Sequence, residues 1–197
     1  CLTAIIAETA DYQGTATEAE YFLFRTEEHS TERPKEIDNW VAAIEMADSL
    51  GLDIVSTSLG YTTFDDKSFN FAYADMDGRS SRGAQAAIIA ARKGMLLIVA
   101  AGNDGNKAWH YLSTPADADS ILTVGAVDID RAIANFSSFG PSADGRIKPE
   151  ICAVGKQTIL LNPSNDEIMK GNGTSFACPL VAGMAACLWS ALPHASN

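Results

Sequence analysis

The sequence is short of cationic side chains, cysteine, histidine and long apolar runs, and each shortage excludes something. Lysine and arginine number 14 against 25 aspartates and glutamates, a formal net charge of -11. A chain this acidic has no basic face for nucleic acid or an anionic membrane. Four cysteines, Cys1, Cys152, Cys178 and Cys187, are too few for a disulfide framework and fit no zinc spacing. If Cys178 and Cys187 share a helix they lie ~13 Å apart along it, beyond disulfide reach. Both read as small buried hydrophobes. The longest apolar run, Met95 to Ala101, falls far short of the roughly 20 residues of a membrane helix, so no membrane span is expected. No signal-type region opens the chain, but the first residue is Cys1, so that absence excludes nothing. Such a start points to a mature product or an excised piece. Dinucleotide and Walker-type glycine loops are also missing, which weighs against nucleotide binding.

What is present is a globular pattern. The chain has 197 residues, 47% hydrophobic and 20% charged, enough for one large core and read as a single domain over residues 1–197. Glu20 to Arg25 reads as a strand. Ile37, Trp40, Val41, Ile44 and Ala47 form one helical face, and Gly51 follows as a terminator. Asp53 to Thr57 reads as a second strand, and residues 61 to 82 as an irregular, exposed excursion. Ala84, Ala87, Ile88 and Ala91 mark another helix, ended by Arg92, Lys93 and Gly94. Met95 to Val99 is apolar on both faces, as in the middle of a parallel sheet, and Ile121 to Val124 repeats that character. Between Gly125 and Gly173 only short β-like runs are expected. The last helix runs from about Ser175 to Leu192, with Pro179 taken to lie in its first turn. This alternation predicts an α/β fold: three layers, a doubly wound, mostly parallel sheet with helices on both faces.

In such sheets chemistry gathers at the carboxyl ends of strands. Asp53 to Thr57 runs into Ser58-Leu59-Gly60, and Met95 to Val99 into Ala100-Ala101-Gly102-Asn103. Gly171-Asn-Gly-Thr-Ser-Phe-Ala-Cys-Pro-Leu-Val-Ala-Gly183 carries the most information. It is a glycine turn that delivers a serine to a helix start, where N–H groups are unpaired and the dipole end is positive. A serine there can meet an electrophile while its own N–H holds a developing oxyanion. Read from Gly-Thr-Ser alone, Thr174 or Ser175 is an ordinary helix cap.

The whole stretch resembles the active-serine segment of the subtilisin-like serine proteases. The matching residues are Gly173, Thr174, Ser175, Ala177, Pro179, Val181, Ala182 and Gly183. The resemblance implies that Ser175 is the nucleophile. Ala100-Ala101-Gly102-Asn103 resembles the segment whose asparagine completes the oxyanion hole, which assigns that role to Asn103. Ser58, Leu59 and Gly60 resemble the strand that binds substrate backbone and walls the S1 pocket, with Ala101 and Gly102 as the facing wall. Lys148-Pro149-Glu150-Ile151-Cys152-Ala153-Val154-Gly155 is similar to a further family loop, with Glu150 and Val154 as departures that touch packing.

One departure concerns the chemistry itself. A serine hydroxyl needs a base to take its proton, and the base needs an orienting group. The family supplies these from an aspartate segment and a His-Gly-Thr motif, and neither is in this chain. Cys1 to Glu8 resembles the helix after His-Gly-Thr, so the chain is read as an incomplete catalytic domain beginning just downstream. His29, His110 and His194 lack the family's context and are read as ordinary surface histidines. The base is expected from a polypeptide segment upstream of Cys1, in the same precursor or a separate chain.

The resemblance implies a serine endopeptidase acting on polypeptide substrate by acyl-enzyme chemistry, with this chain alone inactive. The alternative is a non-catalytic relative that binds peptides without cleaving them. No cofactor is required for that chemistry. The family often carries structural calcium, but its ligands are not assignable here, and Asp75-Met76-Asp77-Gly78 reads as an acidic turn. Asp104 is expected to favour a basic P1 side chain. The family implies a secreted or cell-surface location.

Overall fold

A computed structural model describes residue 5 and residues 7–162, 164–165 and 167–192. Cys1 and His194 lie outside the described residues, as does most of the segment compared with the family helix.

Helix α1 (Lys35–Leu50) begins after Pro34, carries Glu36 and Asp38 in its first turn, and stops at Gly51. Gly51 adopts φ 71°, and its N–H caps Ala47 and Asp48, a left-handed turn that glycine enters without Cβ strain. Strand β1 (Ile54–Thr57) follows. Helix α2 (Arg82–Arg92) is capped by Ser81, whose Oγ accepts from Ala84 N–H. Then come β2 (Leu96–Ala100), β3 (Leu122–Val127), β4 (Ile151–Val154), the antiparallel pair β5 (Thr158–Leu161) and β6 (Ile168–Gly171), and α3 (Thr174–Ala191).

Strands β1 to β4 form one parallel sheet in the order β1-β2-β3-β4. Side chains alternate across β2 and divide the core in two. Leu97 and Val99 face Trp40 and Ile44 of α1 and Ala84 and Ala87 of α2. Ile98 and Ala100 face Ala177, Cys178, Val181 and Ala182 of α3. The result is the expected three-layer α/β fold.

Several local expectations change. Glu20–Arg25 has no regular secondary structure and belongs to no sheet, and none of its main-chain groups is paired among the described residues. Strand composition favours an extended backbone, but a ladder requires a neighbour at ~4.8 Å. Residues 61–82 are irregular and exposed along much of their length, but they are anchored: Tyr61, Phe64 and Met76 are buried, and Tyr61 and Phe64 pack on Ile37 of α1. Pro179 lies in the second turn of α3, not the first. Cys178 is buried as expected, but Cys187 is exposed, its thiol donating to Thr15 O at 3.0 Å. The α3 segment is long and apolar enough to cross a membrane, with mean hydropathy 1.4. Small and hydroxyl residues break its apolar runs, which hid this property, and here it packs against the sheet as a core helix.

Candidate active site

Ser175 is the second residue of α3, and its surroundings come from the carboxyl ends of β1 and β2. Thr174 N–H donates to Asn103 Oδ1 at 2.8 Å. The Thr174 hydroxyl lies 3.1 Å from the same oxygen and accepts from Gly102 N–H at 3.2 Å. The amide oxygen of Asn103 is thereby occupied, and its Nδ2 has no acceptor among the described residues. Ser175 N–H, one of the unpaired amides at a helix start, is likewise free among the described residues. Two unpaired N–H donors therefore sit at one helix terminus.

The other side of Ser175 is set by Pro179. Proline lacks the N–H that would close the helical bond to the carbonyl four residues earlier, which is Ser175 O. Ser58 Oγ donates to that carbonyl at 3.0 Å. In return, Ser175 Oγ donates to Ser58 O at 3.2 Å. No histidine or carboxylate touches the Ser175 hydroxyl among the described residues. Ser58 was expected as substrate backbone wall; its side-chain contact with the serine follows from a proline four positions along α3.

The two expected substrate walls meet at a residue that pattern reading missed. A Cβ on Gly60 would overlap the Ser113 hydroxyl, and one on Gly102 would lie 3.4 Å from it and 2.9 Å from Ser138 Oγ. Gly102 also adopts φ 110°, where other residues are strained. Tyr61 and Thr114 exchange main-chain bonds of 2.9 and 3.2 Å and tie the walls together. Ala101 is buried, with its N–H given to Val124 O. Leu59 packs its side chain toward α1, so only its backbone is left for the cleft.

Cys178, one turn from Ser175, is buried against the carbonyls of Thr57 and Ile98. Burial pushes its thiol up to about 11, so it stays protonated and unreactive. Asp104 is paired with Lys107 at 2.6 Å, which partly neutralises the charge expected to select a basic side chain. His110 is stacked on Phe139, centroids 5.3 Å apart, and tilted against Tyr111 at 4.0 Å, and His29 is exposed. Lys148 is buried with Glu150 at 2.8 Å and Thr123 Oγ1 at 3.0 Å, so this loop anchors β4 by an ion pair.

Asp75 and Asp77 behave as an acidic turn. Asp75 accepts from Ala72 N–H, and Asp77 accepts from Arg79 and Ser80 N–H. A carboxylate group with metal-ligand spacing lies elsewhere, at Glu27, Glu32 and Glu36, with ligand atoms within 4.8 Å of one another. Both Glu36 oxygens accept main-chain N–H groups, from Glu28 and Arg33, and Tyr61 donates to Glu27. Desolvation and then the neighbouring carboxylates raise the Glu32 carboxyl above its usual range. The spacing of these three residues carries no motif, so only folding reveals the group.

A serine at a glycine-led helix start, facing free amide donors at the carboxyl ends of parallel strands, defines the α/β serine-hydrolase class of site. The Subtilase family matches residues 2–197. Subtilisin DY of Bacillus licheniformis is 35% identical over 159 residues, covering 79% of this chain and 49% of that protein. The self-cleaved protease domain of PatA superposes with TM-score 0.76 at 26% identity, over 96% of this chain and 65% of that one. The maturation protease PagA gives TM-score 0.70 at 26% identity, over 96% and 62%. The chain belongs to the Subtilase family. It spans about half the length of subtilisin DY and about two thirds of these protease domains.

Proposed function

We propose that the chain supplies the nucleophile, oxyanion hole and substrate walls of a subtilisin-type serine endopeptidase. Ser175 Oγ attacks the scissile carbonyl, and its proton passes to a base on a segment upstream of Cys1. Charge then develops on the carbonyl oxygen, which Asn103 Nδ2–H and Ser175 N–H stabilise. Collapse of the tetrahedral intermediate breaks the peptide C–N bond as the protonated base returns its proton to the leaving amine. Water then hydrolyses the acyl-enzyme by the same route. Ser58 to Gly60 and Ala101 to Gly102 hold the substrate strand. The observation that carries this reading is the Thr174 N–H to Asn103 Oδ1 bond, which occupies the amide oxygen at the start of α3 and leaves Nδ2 without an acceptor among the described residues.

In this reading the isolated chain is inactive, because the Ser175 hydroxyl meets a backbone carbonyl and not a base. By family likeness the parent protein acts outside the cell or at its surface. The test is fluorophosphonate labelling, followed by peptide mass mapping. The parent protein should label at Ser175 and the 197-residue chain should not. Efficient labelling of the isolated chain, or none in the parent, overturns the reading. A peptide-binding relative without catalysis is the second reading, favoured by the backbone carbonyl of Ser58 as the partner of the Ser175 hydroxyl, and it predicts peptide affinity with no labelling in either form.

A further inference from the structure

Asn103 is exposed, so packing does not choose the direction of its side chain and hydrogen bonds must. Thr174 holds its amide oxygen. The backbone beneath it is held by Ser138, from a segment that no motif marks. Ser138 N–H donates to Gly102 O at 3.0 Å, and Ser138 Oγ accepts from Asp104 N–H at 3.1 Å. The first bond fixes the peptide plane before Asn103, and the second fixes the plane after it. Peptide groups are rigid, so two fixed planes that meet at one Cα set its φ and ψ, and with them the direction of the Cα–Cβ bond.

Ser138 is itself anchored. It is 1% exposed, so water cannot stand in for its hydroxyl. The neighbouring Ser137 Oγ accepts from Ala126 N–H of β3 at 2.9 Å, and Gly105 N–H donates to Phe136 O at 2.8 Å. The approach is close: a Cβ on Gly105 would lie 2.1 Å from Ser137 O. Residues 136–138 therefore tie the end of β2, which carries Asn103, to the adjacent strand β3.

We infer that Ser138 is a positioning residue of the oxyanion hole: by gripping both peptide groups that flank Asn103, it aims the Nδ2–H donor at the oxygen that gains charge. This rests on the proposed protease reading. A donor stabilises an oxyanion most when its direction is set before the charge appears, and a displacement of about 1 Å can cost ~100-fold in rate. Removing the Ser138 hydroxyl releases one of the two planes. The Asn103 side chain then swings as a whole, and its oxygen moves off Thr174 N–H as its Nδ2 moves off the substrate.

Amide exchange in the 197-residue chain tests the grip, and steady-state kinetics in an active parent protein tests its use. Ser138→Ala keeps the main-chain N–H and removes the acceptor. Besides Asp104, the Thr174 amide should then exchange about tenfold faster, because its acceptor is the Asn103 side chain. Loss of protection at Asp104 alone overturns the inference, as does unchanged exchange at both. In the parent, Ser138→Ala should lower kcat by about tenfold with KM held within about twofold. In an Asn103→Ala background the same change should have no further effect, since the donor it aims is gone. Losses that multiply, or a loss carried by KM, assign Ser138 a general structural role and refute the proposal. Ser138→Thr retains the hydroxyl and should restore both readouts. If either variant does not fold, Ser138→Cys, whose sulfur is a weaker acceptor, should give intermediate values in both, and wild-type values refute the grip. A parent that neither cleaves peptide nor takes up fluorophosphonate refutes the protease reading, whereas Thr174 exchange in the isolated chain still decides the hold on Asn103.

Discussion

Replacing Ser58 by alanine tests whether Pro179 and Ser58 form one device. Pro179 leaves Ser175 O without its helical partner, and Ser58 Oγ supplies a substitute at 3.0 Å. A hydrogen bond of this kind is worth about 1 kcal/mol net, and leaving the acceptor unpaired costs about 1–3 kcal/mol according to its burial. Ser175 is half-buried, so water reaches the carbonyl in part, and Ser58→Ala should destabilise the chain by about 1 kcal/mol. Pro179→Ala restores an N–H that recaptures Ser175 O within α3. In that background the Ser58 hydroxyl is redundant, and its removal should cost close to nothing. Urea unfolding of the four proteins, followed by far-ultraviolet circular dichroism, should give a coupling energy of about 1 kcal/mol. Residues that do not interact add to within about 0.3–0.5 kcal/mol. Additivity at that level would refute the claim that the proline hands its carbonyl to Ser58.

In an active parent protein, Asn103→Ala should lower kcat by about 100- to 1000-fold with little change in KM, since the donor acts on the transition state; steady-state kinetics on a chromogenic peptide reads this. Lys148→Ala leaves Thr123 Oγ1 and the partly exposed Glu150 without their cation and should cost about 1–2 kcal/mol in urea unfolding. Glu32 is held above its unfolded pKa of ~4.3 by desolvation and then by Glu36, Glu27 and Asp65. The native state therefore binds the extra proton, and this group's contribution falls as pH rises through the folded pKa. Glu32→Gln should raise the urea midpoint at pH 7 and leave it unchanged at acid pH, where both forms are neutral. Cys152 and Cys187 should react with a thiol reagent in the folded chain, whereas Cys178, buried and pushed up to about 11, should react only on unfolding.

Much of this was legible in sequence where information is local. The apolar face from Ile37 to Ala47 and the stop at Gly51 gave α1 to within a few residues, because helix period and left-handed capping are properties of a short segment. The two-faced apolar run at β2 marked the sheet interior for the same reason. The Gly-Thr-Ser stretch located Ser175 and its helix. Glu20–Arg25 went the other way: its composition is that of a strand, and strand formation depends on a neighbour that composition does not supply. Cys187 was misread because burial of a residue near a helix end depends on what covers that face.

Sequence by itself therefore determined the helices, the central strand, the family resemblance and the position of the serine. Tertiary structure alone decided what those residues touch. Asn103 and Thr174 are 71 positions apart, and Ser58 and Ser175 are 117 apart. Their pairing depends on the parallel sheet bringing strand ends to one helix terminus. Glu27, Glu32 and Glu36 became a cluster, and Ser113 a shared neighbour of Gly60 and Gly102, through the same long-range packing. A local pattern fixes the backbone of a segment; only the path of the rest of the chain fixes which groups face it across a gap of a few ångströms.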